Sequence, residues 1–371
     1  MSGVGSAELF GGVFAGRRVL ITGHTGFKGS WLTRWLLDLG AEVTGYALEL
    51  ETDPSLFVEL ALADRIDHRI GDMRDATHVK SALAEARPEI VFHLAAQPLV
   101  LRSYDEPAET FETNVMGTVN LLEAVRSTGS VRVVVNVTSD KCYENREWEF
   151  AYRENDAMGG FDPYSASKGC SELVTAAYRR SFFGAESSAA IATARAGNVI
   201  GGGDWAADRI VPDCVRALAA NEPIVVRNPD ALRPWQHVLE PTSGYLWLAS
   251  RLFSEGHEFD GPWNFGPALS GDLTVRDVVE TVVAEWGAGS WTGPPSAASA
   301  PHEARSLKLD ISKTADLLAW QPVWRADNAL RSAIRWYSKF YGGQSSAADL
   351  TRECLAAYVA GARNAGLAWT R

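Results

Sequence analysis

Apolar and polar positions begin to alternate in a regular way at Arg17. RRVLIT (17–22) is a short β-branched run, and FKGSWLTRWLLDLG (27–40) repeats apolar residues at helical spacing until Gly40 closes it. EVTGYAL then reads as a second strand, HRIGDMRD holds a third, THVKSALAEAR is a helix stopped by Pro88, and EIVFHLAA is a fourth strand. PAETFETNVMGTVNLLEAVRSTG (107–129) reads as one long helix and VRVVVNVTS as a fifth strand. DPYSASKGCSELVTAAYRRSF is a second long helix, followed by the strand SAAIATARAGNVIG. Strands apolar on both faces, separated by helices, predict a parallel sheet wrapped on both sides. The expected class is α/β, a Rossmann-type doubly wound sheet with a smaller mixed C-terminal domain.

After about residue 200 the alternation loosens. The expected division is an N-terminal extension (1–16), a Rossmann core (17–200) to which some later segments return, a mainly substrate-binding region (201–341) and a helical tail (342–371). GAGSWTGPPSAASAP (287–301) has the composition of a surface loop. The tail carries a helical period and is expected to pack on the outside or on another subunit.

Composition narrows the partners. A formal net charge of -11 over 371 residues argues against nucleic acid and anionic membrane surfaces. The four cysteines form no CxxC pair and the histidines no metal-like spacing, so no zinc site, other metal or disulfide framework is expected. The first residues lack a cationic stretch ahead of a weakly apolar one, and no run approaches a membrane span. A soluble, cytoplasmic protein is the expectation.

Gly23, Gly26 and Gly29 form G-x-x-G-x-x-G between the first strand and first helix. Glycines there let the backbone approach a pyrophosphate, which sits on the N–H groups of the helix N-terminus. Thr25, Phe27 and Lys28 complete the loop. Glu49 falls where an acid bonds the adenosine ribose of a dinucleotide, and no nearby Arg or Lys is placed for a 2′-phosphate, which favours NAD over NADP. It also reads as a solvated loop residue. Asp72 and Met73, past the third strand, are candidate adenine contacts. Ala95, Ala96 and Gln97, past the fourth, lie where ligands of doubly wound sheets bind.

Tyr164 and Lys168 form Y-x-x-x-K at the start of a helix, one turn apart on one face. An ammonium beside the phenol favours phenolate, as a general base requires. Ser139 supplies a hydroxyl at the end of the fifth strand.

With the glycine loop and Ser139, this constellation resembles the extended short-chain dehydrogenase/reductase family over roughly residues 17–340. The resemblance implies Tyr164 as base, Lys168 as its orienting partner on the nicotinamide ribose, Ser139 on the reacting hydroxyl and Asn114 among the cofactor contacts. It also implies a homodimer or homotetramer paired through helices at 107–127 and 162–182. Asp140 and Lys141 are surplus to hydride transfer alone. Taken by themselves they also read as a surface ion pair. VTSDKCYENREW, GHTGFKGSWL, FHLAAQPLV, YRENDAMGGFDPYSASKGCSE, RAGNVIGGGDW and RPWQHVLEP resemble the 4,6-dehydratase branch acting on CDP-glucose. In that branch C4 is oxidised, water is lost across C5 and C6, and hydride returns to C6, a step in deoxysugar biosynthesis. Asp140 would then protonate the departing C6 hydroxyl and Lys141 take the C5 proton, provided burial keeps its amine neutral.

The same resemblance places Asn198, Arg209 and Arg233 on the nucleotide-sugar diphosphate with Asn264 nearby, and Arg195 joins them as a candidate. His237 is a candidate base or sugar contact and equally a core residue. Alternatives are an epimerase or a dehydratase of another nucleotide sugar. From a different class comes an NAD-binding assembly subunit, whose expected signature is loss of Tyr164 or Lys168.

Overall fold

The computed structural model describes residues 6–268, 273–293 and 307–371. Most of the loop expected at 287–301 lies outside them. Seven parallel strands form the central sheet: β1 (Arg18–Thr22), β2 (Glu42–Ala47), β3 (Asp67–Ile70), β4 (Ile90–His93), β5 (Val133–Val137), β6 (Ala190–Arg195) and β7 (Gly261–Asn264). Their order is β7-β6-β5-β4-β1-β2-β3. The chain therefore reverses direction across the sheet between β1 and β4, which opens a crevice beyond their carboxyl ends.

The principal helices are α1 (Phe27–Asp38), α2 (Ala76–Ala86), α3 (Gly117–Ser127), α4 (Pro163–Phe182), α5 (Ile210–Ala219), α6 (Leu239–Glu255), α7 (Val275–Trp286), α8 (Ala326–Tyr341) and α9 (Ala347–Asn364). Strand alternation assigns the two faces. Leu20, Val91, Val134 and Ile191 point into one core with Val79, Leu121 and Leu122 of α2 and α3. Val19, Ile21, Phe92 and Val135 point into the other, with Trp31 of α1 and Leu246 of α6. Both faces are covered, so the apolar runs are buried throughout.

The segment after residue 200 divides its loyalties. α6 and β7 return to the sheet, β7 pairing with β6 in parallel. Short two-residue strands handle the remainder: Val199–Ile200 pairs Gln236–His237, and Leu232–Arg233 pairs Leu273–Thr274.

The extension and the tail are parts of the core, not appendages. Phe10 and Trp369 are fully buried and stack at 5.0 Å, and Trp369 also stacks on Tyr358 at 6.0 Å. Trp35 of α1 meets both Phe10 and Tyr358 edge to face. Buried Glu240 on α6 fastens the tail, accepting bonds from Tyr358 Oη (2.7 Å) and the N–H groups of Val323 and Trp324. The chain ends thus cover the Trp35 side of α1.

Candidate active site

The floor of the crevice is set by glycines. Gly23 has φ +75, and a methyl there would lie 2.7 Å from the Ala95 nitrogen. A left-handed backbone pressed on another backbone admits only glycine. A methyl on Gly29 would strike the Gly23 carbonyl. No side chain caps α1 at Gly26, so the first N–H groups and the positive end of the dipole open onto the loop. This cradle fits a diphosphate. Thr25 donates to the Leu48 carbonyl at 3.4 Å, tying the loop to the end of β2, and Glu49 is exposed at the bend that follows.

Asp72 is already engaged. Its carboxylate accepts bonds from the Arg74 side chain (2.6 Å) and backbone (2.8 Å), which hold it below the usual carboxylate range. Met73 is buried beneath it. Ala95 and Ala96 are half-buried past β4, and the Ala95 N–H donates to Thr22 Oγ1.

The Gln97 side chain bonds Leu99 and Thr110 and turns into the protein, so only its backbone faces the end of β4. The long helix expected over 107–129 is also interrupted. Pro107–Phe111 passes through a π turn at Glu112–Met116 before α3 begins. Asn114 lies in that turn, its amide accepting from Gln97 N–H (2.8 Å) and donating to Ser167 Oγ (2.8 Å). The wider turn thus carries a polar tie between the end of β4 and α4, a common use of π bulges.

At the end of β5 the polar residues turn inward. Ser139 caps a 3-10 turn over Asp140–Cys142, accepting the Lys141 N–H at 3.2 Å, and its hydroxyl donates to Asp140 Oδ1 at 2.9 Å. Asp140 is 4% exposed, so the pair is no surface ion pair. Asn198, at φ +51, donates to Asp140 Oδ2 at 3.4 Å. A methyl on Gly197 would overlap the Asp140 carboxyl, so glycine there makes room for the acid. Lys141 is half-buried, less than the sequence argument asked for, and its ammonium has no hydrogen-bond or ion-pair partner among the described residues.

Helix α4 opens with Asp162 as its N-cap, bonded to the Ser165 N–H at 2.9 Å, and Pro163 at its first position. Tyr164 and Lys168 follow, both buried. Burial pushes the Tyr164 phenol up to about 12, and the largest opposing influence is the Ser139 hydroxyl, with Arg209 also pulling down. The spacing of Tyr164 and Lys168 had pointed to Lys168 for that influence. Instead Lys168 donates to the Val137 carbonyl at 3.5 Å, and burial lowers it to about 8 against the field of Glu172.

Lys28 is likewise lowered to about 8 by desolvation and then by Arg209, while Asp140 and Asp204 oppose and Lys168 adds to the shift. The loop lysine therefore lies within the electrostatic reach of Lys168, Arg209 and Asp140. Arg209 is held by buried Asp204 at 2.9 Å. Arg233 is half-buried on its short strand, donating to the Leu232 carbonyl.

Arg195, Asn264 and His237 belong elsewhere. Arg195 is 2% exposed and forms a two-pronged ion pair with Glu172 (2.9 and 2.8 Å), with further bonds to Tyr143 Oη and the Glu154 carbonyl. Four of its five N–H donors are thus committed to groups inside the protein. Asn264 spends its amide on Tyr143, Tyr152 and Asp310. His237 is buried against Trp31 and Trp324, and its Nδ1 accepts the Leu239 N–H. Sequence reasoning missed Glu172, Thr138 and Gly197. An acid one turn beyond Lys168, facing an Arg at the end of a wholly buried strand, was the available signal.

The sequence model of the family described as GDP-mannose 4,6 dehydratase matches residues 20–333. A CDP-glucose 4,6-dehydratase of Salmonella typhimurium is 52% identical over 334 residues, 89% of this chain and 92% of that protein. A dTDP-glucose 4,6-dehydratase of the same organism is 25% identical over 86% of this chain and 92% of its own. Among solved structures, the dTDP-glucose 4,6-dehydratase DesIV of Streptomyces venezuelae, with NAD and TYD bound, superposes with a TM-score of 0.72. It is 26% identical, with 88% of this chain and 98% of that one covered. A UDP-glucose 4-epimerase of Thermotoga maritima shares the fold at a TM-score of 0.73 and 21% identity, over 86% and 98% of the two chains. With the glycine cradle, the inward Ser139–Asp140–Lys141 turn and the Tyr164–Lys168 helix inside the matched span, the chain belongs to the GDP-mannose 4,6 dehydratase family.

Proposed function

We propose that the protein is an NAD-dependent lyase converting CDP-D-glucose to CDP-4-keto-6-deoxy-D-glucose. The observation that carries this reading is the buried Asp140 with Lys141 next to it in the chain, at the end of β5 beside Ser139 and packed against the helix of Tyr164 and Lys168. An epimerase needs only the last three. The choice of CDP-glucose rests on the half-identical Salmonella relative.

NAD would lie on the Gly23–Gly29 cradle, with Glu49 at the adenosine ribose, Asp72 and Met73 near adenine, and Lys168 at the nicotinamide end. When bound it supplies the oxidant for C4 and the matching reductant for C6. Tyr164 takes the proton from the C4 hydroxyl, helped by the Ser139 hydrogen bond and the positive field of Arg209. The new ketone makes the C5 hydrogen acidic. Lys141 takes that proton while Asp140 gives one to the leaving C6 hydroxyl, so one water departs, and Lys141 returns its proton to C5 as C6 is reduced. Arg209 and Arg233, with Asn198 bonded to Asp140, are the groups for the diphosphate, Arg being suited to forked phosphate contacts.

In this reading residues 17–200, α6 and β7 carry the cofactor, and most of 201–341 carries the nucleotide sugar. A homodimer is proposed through α4 and the 107–127 helix, where Phe111, Met116, Leu173 and Phe182 are exposed apolar residues. Among the described residues no helix is long and apolar enough to cross a membrane, and the cysteines are unpaired, which supports a cytoplasmic enzyme. The test is a panel of CDP-, dTDP-, GDP- and UDP-glucose. Dehydration of CDP-glucose at the highest kcat/KM is expected; preference for another nucleotide, or an isobaric product, overturns the assignment.

A further inference from the structure

The buried ion pair of Glu172 and Arg195 lies directly behind the reacting groups. Glu172 is on α4 one turn beyond Lys168 and two turns beyond Tyr164, on the same face. Its carboxylate accepts Thr138 Oγ1 at 2.5 Å, Thr193 Oγ1 at 2.7 Å and both prongs of Arg195. Thr138 is the residue immediately before Ser139, Asp140 and Lys141. One carboxylate thus joins the end of β5, the end of β6 and the helix that carries the base.

We propose that Glu172, seated by Arg195, is a positioning residue that holds the Thr138–Lys141 turn at its working distance from Tyr164 and Lys168. This deepens the dehydratase reading and rests on it. A purely structural ion pair would have no need to bond the residue next to Ser139. Buried pairs are a poor source of stability, since desolvating two charges offsets much of their attraction.

The negative charge has a second consequence. Lys168 is faced by Glu172 from its own helix, Cys142 from the turn after β5, His93 from β4 and Lys28 from α1. His93 is neutral and the Cys142 thiol is pushed up by burial, so Glu172 is the anion that keeps the Lys168 ammonium charged. Without it Lys168 loses its proton at lower pH, and the alkaline limb of the rate profile follows.

The experiment measures kcat and KM of the holoenzyme from neutral to strongly alkaline pH, with whichever nucleotide sugar of the panel the wild-type protein dehydrates. Glu172→Gln keeps the shape and removes the charge. It is expected to lower kcat by about 100-fold, leave KM within about threefold and move the alkaline limb down by about one pH unit. Thr138→Val, which keeps the branched shape and removes the hydroxyl, is expected to lower kcat about tenfold through the lost charge-assisted bond, and Thr138→Ser to restore it. A folded Glu172→Gln with the wild-type kcat and alkaline limb, or Thr138→Val as active as Thr138→Ser, overturns the inference. Should Glu172→Gln not fold, the Thr138 pair alone decides. A wild-type protein that converts nucleotide sugars without losing water sinks the dehydratase reading instead, and the same variants then report on that reaction.

Discussion

Gly197→Ala places a single methyl against the carboxyl of the proposed acid. All three carboxyl atoms of Asp140 would lie closer to that methyl than the 3.0 Å real Cβ atoms respect. Gly197 has no left-handed φ, so the substitution adds no backbone strain of its own. Asp140 is buried and bonded to Ser139 and Asn198, so the carboxylate has no solvent to swing into and must retreat by about 1 Å within the pocket. A displacement of that size costs about 100-fold in rate when the group must meet a reacting atom. The assay pairs steady-state dehydration with a single-turnover measurement of bound nicotinamide absorbance. Expected is a kcat about 100-fold down, with nucleotide-sugar affinity and bound NAD unchanged, and reduced nicotinamide persisting because C4 oxidation outlives elimination. Wild-type turnover by a folded Gly197→Ala protein would refute the placement of Asp140 at C6.

Tyr164→Phe removes the base and is expected to lower kcat by about 10²- to 10⁴-fold without loss of fold, checked by turnover and circular dichroism. His24, His93 and His237 are each buried and lowered from 6.5 to about 3. The unfolded chain therefore binds more protons between those values, and stability falls as pH drops from 6.5 toward 3. Urea unfolding across that range should show uptake approaching three protons; a flat profile contradicts it. Trp369→Ala empties the stack between Phe10 and Tyr358 and is expected to cost about 3–5 kcal/mol by urea unfolding, with kcat/KM of the remaining folded protein unchanged.

Patterning made the sheet legible because β1, β4, β5 and β6 are buried on both faces and the strands are separated by helices with clear stops. It failed where one residue type serves two ends. Arg195 as a phosphate ligand and Arg195 as the partner of Glu172 read alike until the strand's inward register is known. Asn264 and Gln97 likewise look like ligand contacts, yet their amides satisfy backbone and side-chain groups inside the protein. The π turn at Asn114 left no trace in the 3.6 period, since it displaces the pattern by only one residue. The role of the chain ends was hidden for another reason. Phe10 and Trp369 are more than 350 residues apart in a chain of 371, and only the tertiary fold stacks them. By contrast the loop of Gly23 and Gly29 and the shared helix face of Tyr164 and Lys168 were legible because their geometry is local, fixed by one turn of loop or helix.

The most direct measurement follows a deuterium placed at C4 of CDP-glucose through turnover by the purified protein. The account predicts a product lighter by one water that carries the label in its new C6 methyl group. A product of unchanged mass with the label back at C4, or a dehydrated product whose methyl group holds none of it, would contradict it.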